Sequence, residues 1–207
     1  MLKSGSTSVM NGLRDYPSIL VHGIPEHFEN DLKYLKINQG FSMSARSLFL
    51  ESWDESYKFT FVRNPWDRVV SVWKQFKKDK KYLANKELPL DLPFGKYVNM
   101  IEGYNFESFQ PNLDWIYWHL YPQHKHVVDE NGETIIDFIG RFESLQKDFD
   151  YVCAVLDIPA SKLIRANRTI HKHYSHYYTK ENQKVIHDKF KTDIDLFNYK
   201  FTTGQGN

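Results

Sequence analysis

A chain of 207 residues, 41% hydrophobic and 26% charged, has the composition of a soluble globular protein and is sized for one α/β domain. A net charge of +1 gives no bulk electrostatic argument for nucleic acid, so any anion site must be a local cluster. Cys153 is the single cysteine, which excludes an internal disulfide and a cysteine-based metal centre, and no stretch approaches a membrane span.

The chain opens "MLKSGSTSV", where Lys3 precedes Ser4, Gly5, Ser6, Thr7 and Ser8. Small residues let a phosphate come close to backbone N–H groups at a helix start, and the hydroxyls add donors. The order differs from the nucleotide-triphosphatase loop, in which the lysine follows the second glycine. Taken alone, this stretch fits a disordered terminus better than an anion site. Residues 7–13 read as a short helix behind it, "SILVH" (18–22) as a strand, and 26–36 and 43–51 as helices.

"YKFTFV" (57–62) alternates and is β-rich, so a strand is expected there. Asn64, Pro65 and Asp67 then supply an N-cap, a first-turn proline and an acid near the positive helix end. Trp66, Val69, Val70, Trp73 and Phe76 form one apolar stripe, and "KQFKKDKK" (74–81) is expected to carry the helix onward as a solvated basic face. After a proline-rich loop at 88–95, helices are expected at 94–102 and 112–120. Asn131-Gly132 between β-rich runs predicts a hairpin. "DFIGRF" (137–142) reads as a buried strand followed by a helix. A basic, aromatic loop spans 165–178, and Thr179 caps a last helix over roughly 180–196. No repeat or low-complexity linker interrupts this order, so one domain, 1–207, is expected. Strands separated by helices predict a sandwich with a mainly parallel sheet, whose ligands gather at the strands' carboxyl ends.

Arg63 ends a predicted strand, and Ser71 lies two helical turns on. An arginine fork with a hydroxyl suits a terminal phosphate, although by themselves a carboxylate partner for Arg63 and a packing role for Ser71 are the simpler assignment. "LKSGSTS" followed after a gap by "FTFVRNPWDRVVSVW" resembles the two nucleotide-binding signatures of sulfotransferases of the carbohydrate type and their bacterial relatives. "DFIGRFESLQKDFDYVC" and the stretch from His171 to Phe201 are similar to that family's later segments.

The resemblance implies a three-layer α/β/α fold of the P-loop type and a donor, PAPS (3′-phosphoadenosine 5′-phosphosulfate). It places Lys3–Ser8 around the 5′-phosphosulfate, Arg63 and Ser71 on the 3′-phosphate, and the loop of Lys172, His173 and Tyr174 over the nucleotide. Arg141 is a donor contact or a structural ion pair. Lys3 would stabilise charge growing on the bridging oxygen as a hydroxyl acceptor, a glycan or small carbohydrate, attacks sulfur in line. No metal is required, and no nucleic-acid partner is implied. The base is harder to assign, because "GFSMSAR" (40–46) has Phe41 where relatives carry His. His22 is the leading substitute, with Glu26, His27 and His119 behind it. Trp115 and Trp118 are candidates for a sugar cleft. Because Met1 and Leu2 are too few for the strand that normally precedes such a loop, the first strand is expected to be truncated. The polar start and lone cysteine fit a reducing compartment, cytoplasmic in a bacterial or viral setting. Two other classes remain: a phosphoryl-transfer enzyme of the related nucleotide-kinase fold, and a non-catalytic nucleotide-binding remnant.

Overall fold

The computed structural model describes residues 6–13, 55–78, 80–85, 88–89, 91–108, 115–164 and 172–204. Lys3, Ser4, Gly5, His22, Glu26 and His27 lie outside them, as do the elements expected at 18–22, 26–36 and 43–51. Two strands form the sheet among these residues. Strand β1, Phe59–Val62, pairs in parallel with β2, Phe138–Arg141, so that Phe61 faces Gly140 and Val62 faces Arg141 across the ladder. The fold is therefore mixed α/β with a parallel pair at its centre.

The two faces of this pair feed separate apolar clusters. Phe59, Phe61 and Phe138 join Val9 and Leu13 of helix α1, Ser6–Leu13, and Phe149, Val152 and Cys153 of the helix that follows β2, Leu145–Val155. Val62 and Ile139 turn the other way, into a larger cluster with Trp66, Val69, Val70, Trp73 and Phe76. Period-two alternation along the strand accounts for the split, because successive side chains point to opposite faces. Burial on both faces is the usual setting for parallel strands.

Helix α2, Pro65–Phe76, starts as its sequence predicts. The Asn64 side chain accepts from Trp66 N–H at 3.0 Å and lies 3.4 Å from Asp67 N. It does not extend through the lysine run. It stops at Phe76, and α3, Lys80–Asn85, begins separately. Nor is the run simply solvated: the ammonium groups of Lys74 and Lys77 sit 4.7 and 5.2 Å from the Trp73 ring, and Lys77 also pairs with Asp91. Cation–π attraction and the aliphatic stems of both side chains hold them on that ring.

Helix α4, Phe94–Gly103, lies where the sequence predicts it, and the described residues of the helix predicted at 112–120 form α5, Trp115–Trp118. The Asn131-Gly132 turn forms with less pairing than predicted. Gly132 takes φ +83° at the fourth position of a turn closed by its N–H to Asp129 O, and one antiparallel bridge, Val128 to Thr134, follows. The Asp129 carboxylate accepts from the amides of Asn131 and Glu133, competing with longer strand pairing. The helix after β2 becomes α6, Leu145–Val155, entered through a 3₁₀ turn at Phe142–Ser144. The last predicted helix is two: α7, Lys180–Lys189, and α8, Lys191–Leu196. Phe190 breaks the run at φ −114°, ψ 27°, and its ring is buried in the large cluster. No helix among the described residues is long and apolar enough to cross a membrane.

Candidate active site

At the carboxyl end of β1 the chain passes through Arg63 and Asn64 into α2. At the carboxyl end of β2 it passes through Arg141 into the Phe142–Ser144 turn. Parallel pairing brings both exits to one edge of the sheet. The Asn64 N–H donates to Glu143 Oε1 at 2.8 Å, the Asn64 side chain donates to Lys200 O at 3.3 Å, and Tyr199 O–H donates to Glu143 Oε2 at 3.1 Å. Burial and then Glu143 raise the Tyr199 hydroxyl pKa far above its ordinary value, which keeps it a donor.

Arg63 is buried at this edge, its side chain only 8% exposed. Its guanidinium lies 4.1 Å from the centre of the Phe142 ring; Nε donates to Asp67 Oδ2 at 2.9 Å, and Nη2 forms an ion pair with the same oxygen at 2.7 Å. The carboxylate partner anticipated for Arg63 is thus present, one helical turn along α2. Arg63, Asp67 and Ser71 are spaced four apart, and Ser71 is 2% exposed. A second buried guanidinium, Arg68, donates from Nη2 to Tyr121 O at 2.8 Å, while its Nε has no hydrogen-bond partner among the described residues. Burial pulls the Arg68 pKa down to about 10; Asp193 opposes this and Arg63 reinforces it. Two buried arginines thus lie beside two carboxylates, so the formal charges at this edge balance.

The other expected residues are distributed as follows. Ser6, Thr7 and Ser8 occupy the first turn of α1, with Ser8 buried. Arg141 is held structurally: Nη2 donates to Phe197 O at 2.7 Å, and the guanidinium stacks 4.8 Å from the Tyr199 ring centre. Lys172 is exposed, and His173 caps the 3₁₀ turn Tyr174–Tyr177 through Ser175. Tyr174 is a core residue whose hydroxyl accepts from Thr202 N–H at 2.8 Å. His119 is buried against the rings of Phe76 and Trp118. The side chain of Trp115 lies outside the described residues.

Sequence reasoning missed Gln123, Glu143 and Asp193. Gln123 and Asp193 are fully buried, and Glu143 accepts the Asn64 backbone N–H and the Tyr199 hydroxyl at the strand exits. The one available signal is "YPQ" (121–123), a polar residue behind a proline in an aromatic turn. Next to Lys200 lies a groove of about 580 Å³ lined by Trp66, Gln183, His187, Tyr199, Lys200 and Phe201, among others. Among the described residues, no group of three or more His, Cys, Asp and Glu is placed to hold a metal.

The model of the sulfotransferase family matches residues 3–200. An uncharacterized protein of Archaeoglobus fulgidus is 32% identical over 117 residues, which covers 56% of this chain and 80% of that relative. No solved structure matches. With a match spanning both strand exits, the opening loop and the C-terminal helices, the chain belongs to the sulfotransferase family.

Proposed function

We propose that this protein transfers a sulfuryl group from PAPS to a hydroxyl acceptor, a glycan or small carbohydrate. The observation that carries the reading is Arg63: a buried guanidinium at the carboxyl end of a parallel strand, beside a helix start, with Ser71 two turns along that helix. Burial strengthens every charge interaction made there. A guanidinium fork suits the 3′-phosphate that distinguishes PAPS from common nucleotides. Helices on both faces of the parallel pair support a three-layer fold of the P-loop type over a single domain, 1–207. A lone, buried Cys153 fits a reducing compartment such as the cytoplasm.

The remaining roles follow the family. Lys3 and the backbone of Ser4–Ser8 hold the phosphosulfate, and the Lys3 ammonium neutralises charge growing on the bridging oxygen. Lys172, His173 and Tyr174 border the nucleotide. His22 takes the acceptor proton. The groove beside Lys200 has the volume of a small-molecule site, which supports an acceptor of sugar size.

The test is incubation with radiolabelled PAPS and a panel of oligosaccharides, with ATP–Mg²⁺ in parallel. Label should pass to a sugar only from PAPS, and Lys3→Ala should slow it by about 10²–10³-fold, the scale of losing one donor to a developing oxyanion. Transfer from ATP–Mg²⁺ instead would make the protein a phosphoryl-transfer enzyme. Tight binding of the bisphosphate with no transfer to any acceptor would make it a nucleotide-binding protein.

A further inference from the structure

Arg63 lies one residue beyond the β1–β2 ladder, which ends at the Val62–Arg141 pair. Arg63 is buried there, beyond the last ladder pair among the described residues, and a buried peptide group needs partners. The Gln123 side chain supplies two of them. Its Oε1 accepts from Arg63 N–H at 2.9 Å, and its Nε2 donates to Arg63 O at 2.8 Å. One carboxamide carries the same donor and acceptor as a peptide unit. It therefore stands in for one residue of an adjacent strand, across 60 positions of sequence.

Gln123 is itself fixed from the far end of the chain. Its own N–H donates to Asp193 Oδ2 at 2.7 Å, and Asp193 Oδ1 accepts the His124 N–H at 2.8 Å. His124 Nδ1 lies 2.6 Å from the same Oδ1. Arg68 holds the segment from the other side through Tyr121 O. Asp193, in the first turn of α8, is thus linked through Gln123 to the main chain of Arg63, while Asp67 and Phe142 hold the guanidinium.

We infer that Gln123 is a positioning residue for donor selection: it sets the backbone of Arg63 so that the guanidinium meets a nucleotide 3′-phosphate. The inference rests on the proposed role of Arg63 and extends it to a residue that does not touch the ligand. A site whose first contact is locked by buried hydrogen bonds loses selectivity when the lock is removed, even where the fold survives.

The experiment measures calorimetric affinity for adenosine 3′,5′-bisphosphate and for AMP, which lacks the 3′-phosphate, in the full chain and in Gln123→Met. Methionine keeps the length and volume but makes neither bond. Gln123→Met should lose about tenfold or more in bisphosphate affinity, with AMP affinity unchanged within about twofold. If Gln123→Met does not fold, Gln123→Glu is measured the same way, since it keeps the acceptor for Arg63 N–H and loses the donor to Arg63 O. Loss of the bisphosphate preference alone supports the inference. Equal losses for both ligands would make Gln123 merely structural, and a fully retained preference would remove it from donor selection; either overturns the inference. A wild-type chain with no preference for the bisphosphate would instead overturn the reading of Arg63 itself.

Discussion

Glu143 and Asn64 join the exits of the two strands: the Glu143 carboxylate accepts the Asn64 backbone N–H at 2.8 Å, and its second oxygen accepts the Tyr199 hydroxyl. A single side chain thus ties β1, the start of α2 and the C-terminal segment together. Glu143→Ala should cost about 2–3 kcal/mol of stability, because a bond to a charged acceptor is lost and a partly buried N–H is left unmatched. Glu143→Gln should cost clearly less, since its amide can accept from Asn64 and face Tyr199. Urea denaturation of both variants checks this, and a negligible loss in Glu143→Ala would show that the contact contributes little.

The Arg63–Asp67 pair makes a prediction of opposite sign for affinity and stability. Asp67 holds the guanidinium but places a carboxylate where the proposed phosphate would approach. Asp67→Asn keeps an acceptor for Nε and removes the repulsion. Bisphosphate affinity should rise by about three- to tenfold while the melting temperature falls, as expected when one partner of a buried ion pair is neutralised. Weaker binding in Asp67→Asn would show that its charge is needed to aim Arg63.

Gly140 sits opposite Phe61 in the ladder, and a Cβ there would meet the Phe61 ring at 2.6 Å and Asp148 Cβ at 3.2 Å. Gly140→Ala should therefore destabilise the protein by about 1–3 kcal/mol through overpacking. The double variant Gly140→Ala/Phe61→Leu should recover part of the loss. A neutral Gly140→Ala would contradict the register of the two strands.

Asp137 gives an acid-side prediction. Burial raises its pKa, but the backbone N–H of Lys58 at 2.6 Å, then the Lys58 ammonium, outweigh this and hold the carboxyl below its ordinary value. A folded-state pKa below the unfolded one contributes stability above the unfolded value, and that contribution is lost as pH falls through the folded value. Asp137→Asn should show a shallower loss of stability below about pH 4, where free aspartate titrates. Parallel acid-denaturation curves for the two proteins would contradict the assignment.

The elements read correctly from sequence are those whose cause is local. Alternation in "YKFTFV" and the Asn64-Pro65-Trp66-Asp67 start specify β1 and α2 within a few residues. The break at Phe190 escaped notice because its apolar spacing continues the helical stripe; only the buried cluster that takes its ring reveals a stop. Gln123 and Asp193 escaped for a different reason. A glutamine in a turn and an aspartate in a short helix look like surface residues until the fold brings them to Arg63, 60 positions from Gln123. The carboxylate on Arg63 is legible in the four-residue spacing of Asp67, which also suits the positive end of the helix dipole. Lys3 and His22 lie outside the described residues, so their proposed roles rest on the family resemblance.

The central claim is that Arg63 reads the 3′-phosphate of the donor. Calorimetric titration of wild type and Arg63→Ala with adenosine 3′,5′-bisphosphate and with AMP tests it most directly. The account predicts that Arg63→Ala loses about 1.5–3 kcal/mol of affinity for the bisphosphate, the scale of hydrogen bonds to a charged group, with AMP binding unchanged. Equal losses for both nucleotides, or none for either, would contradict it.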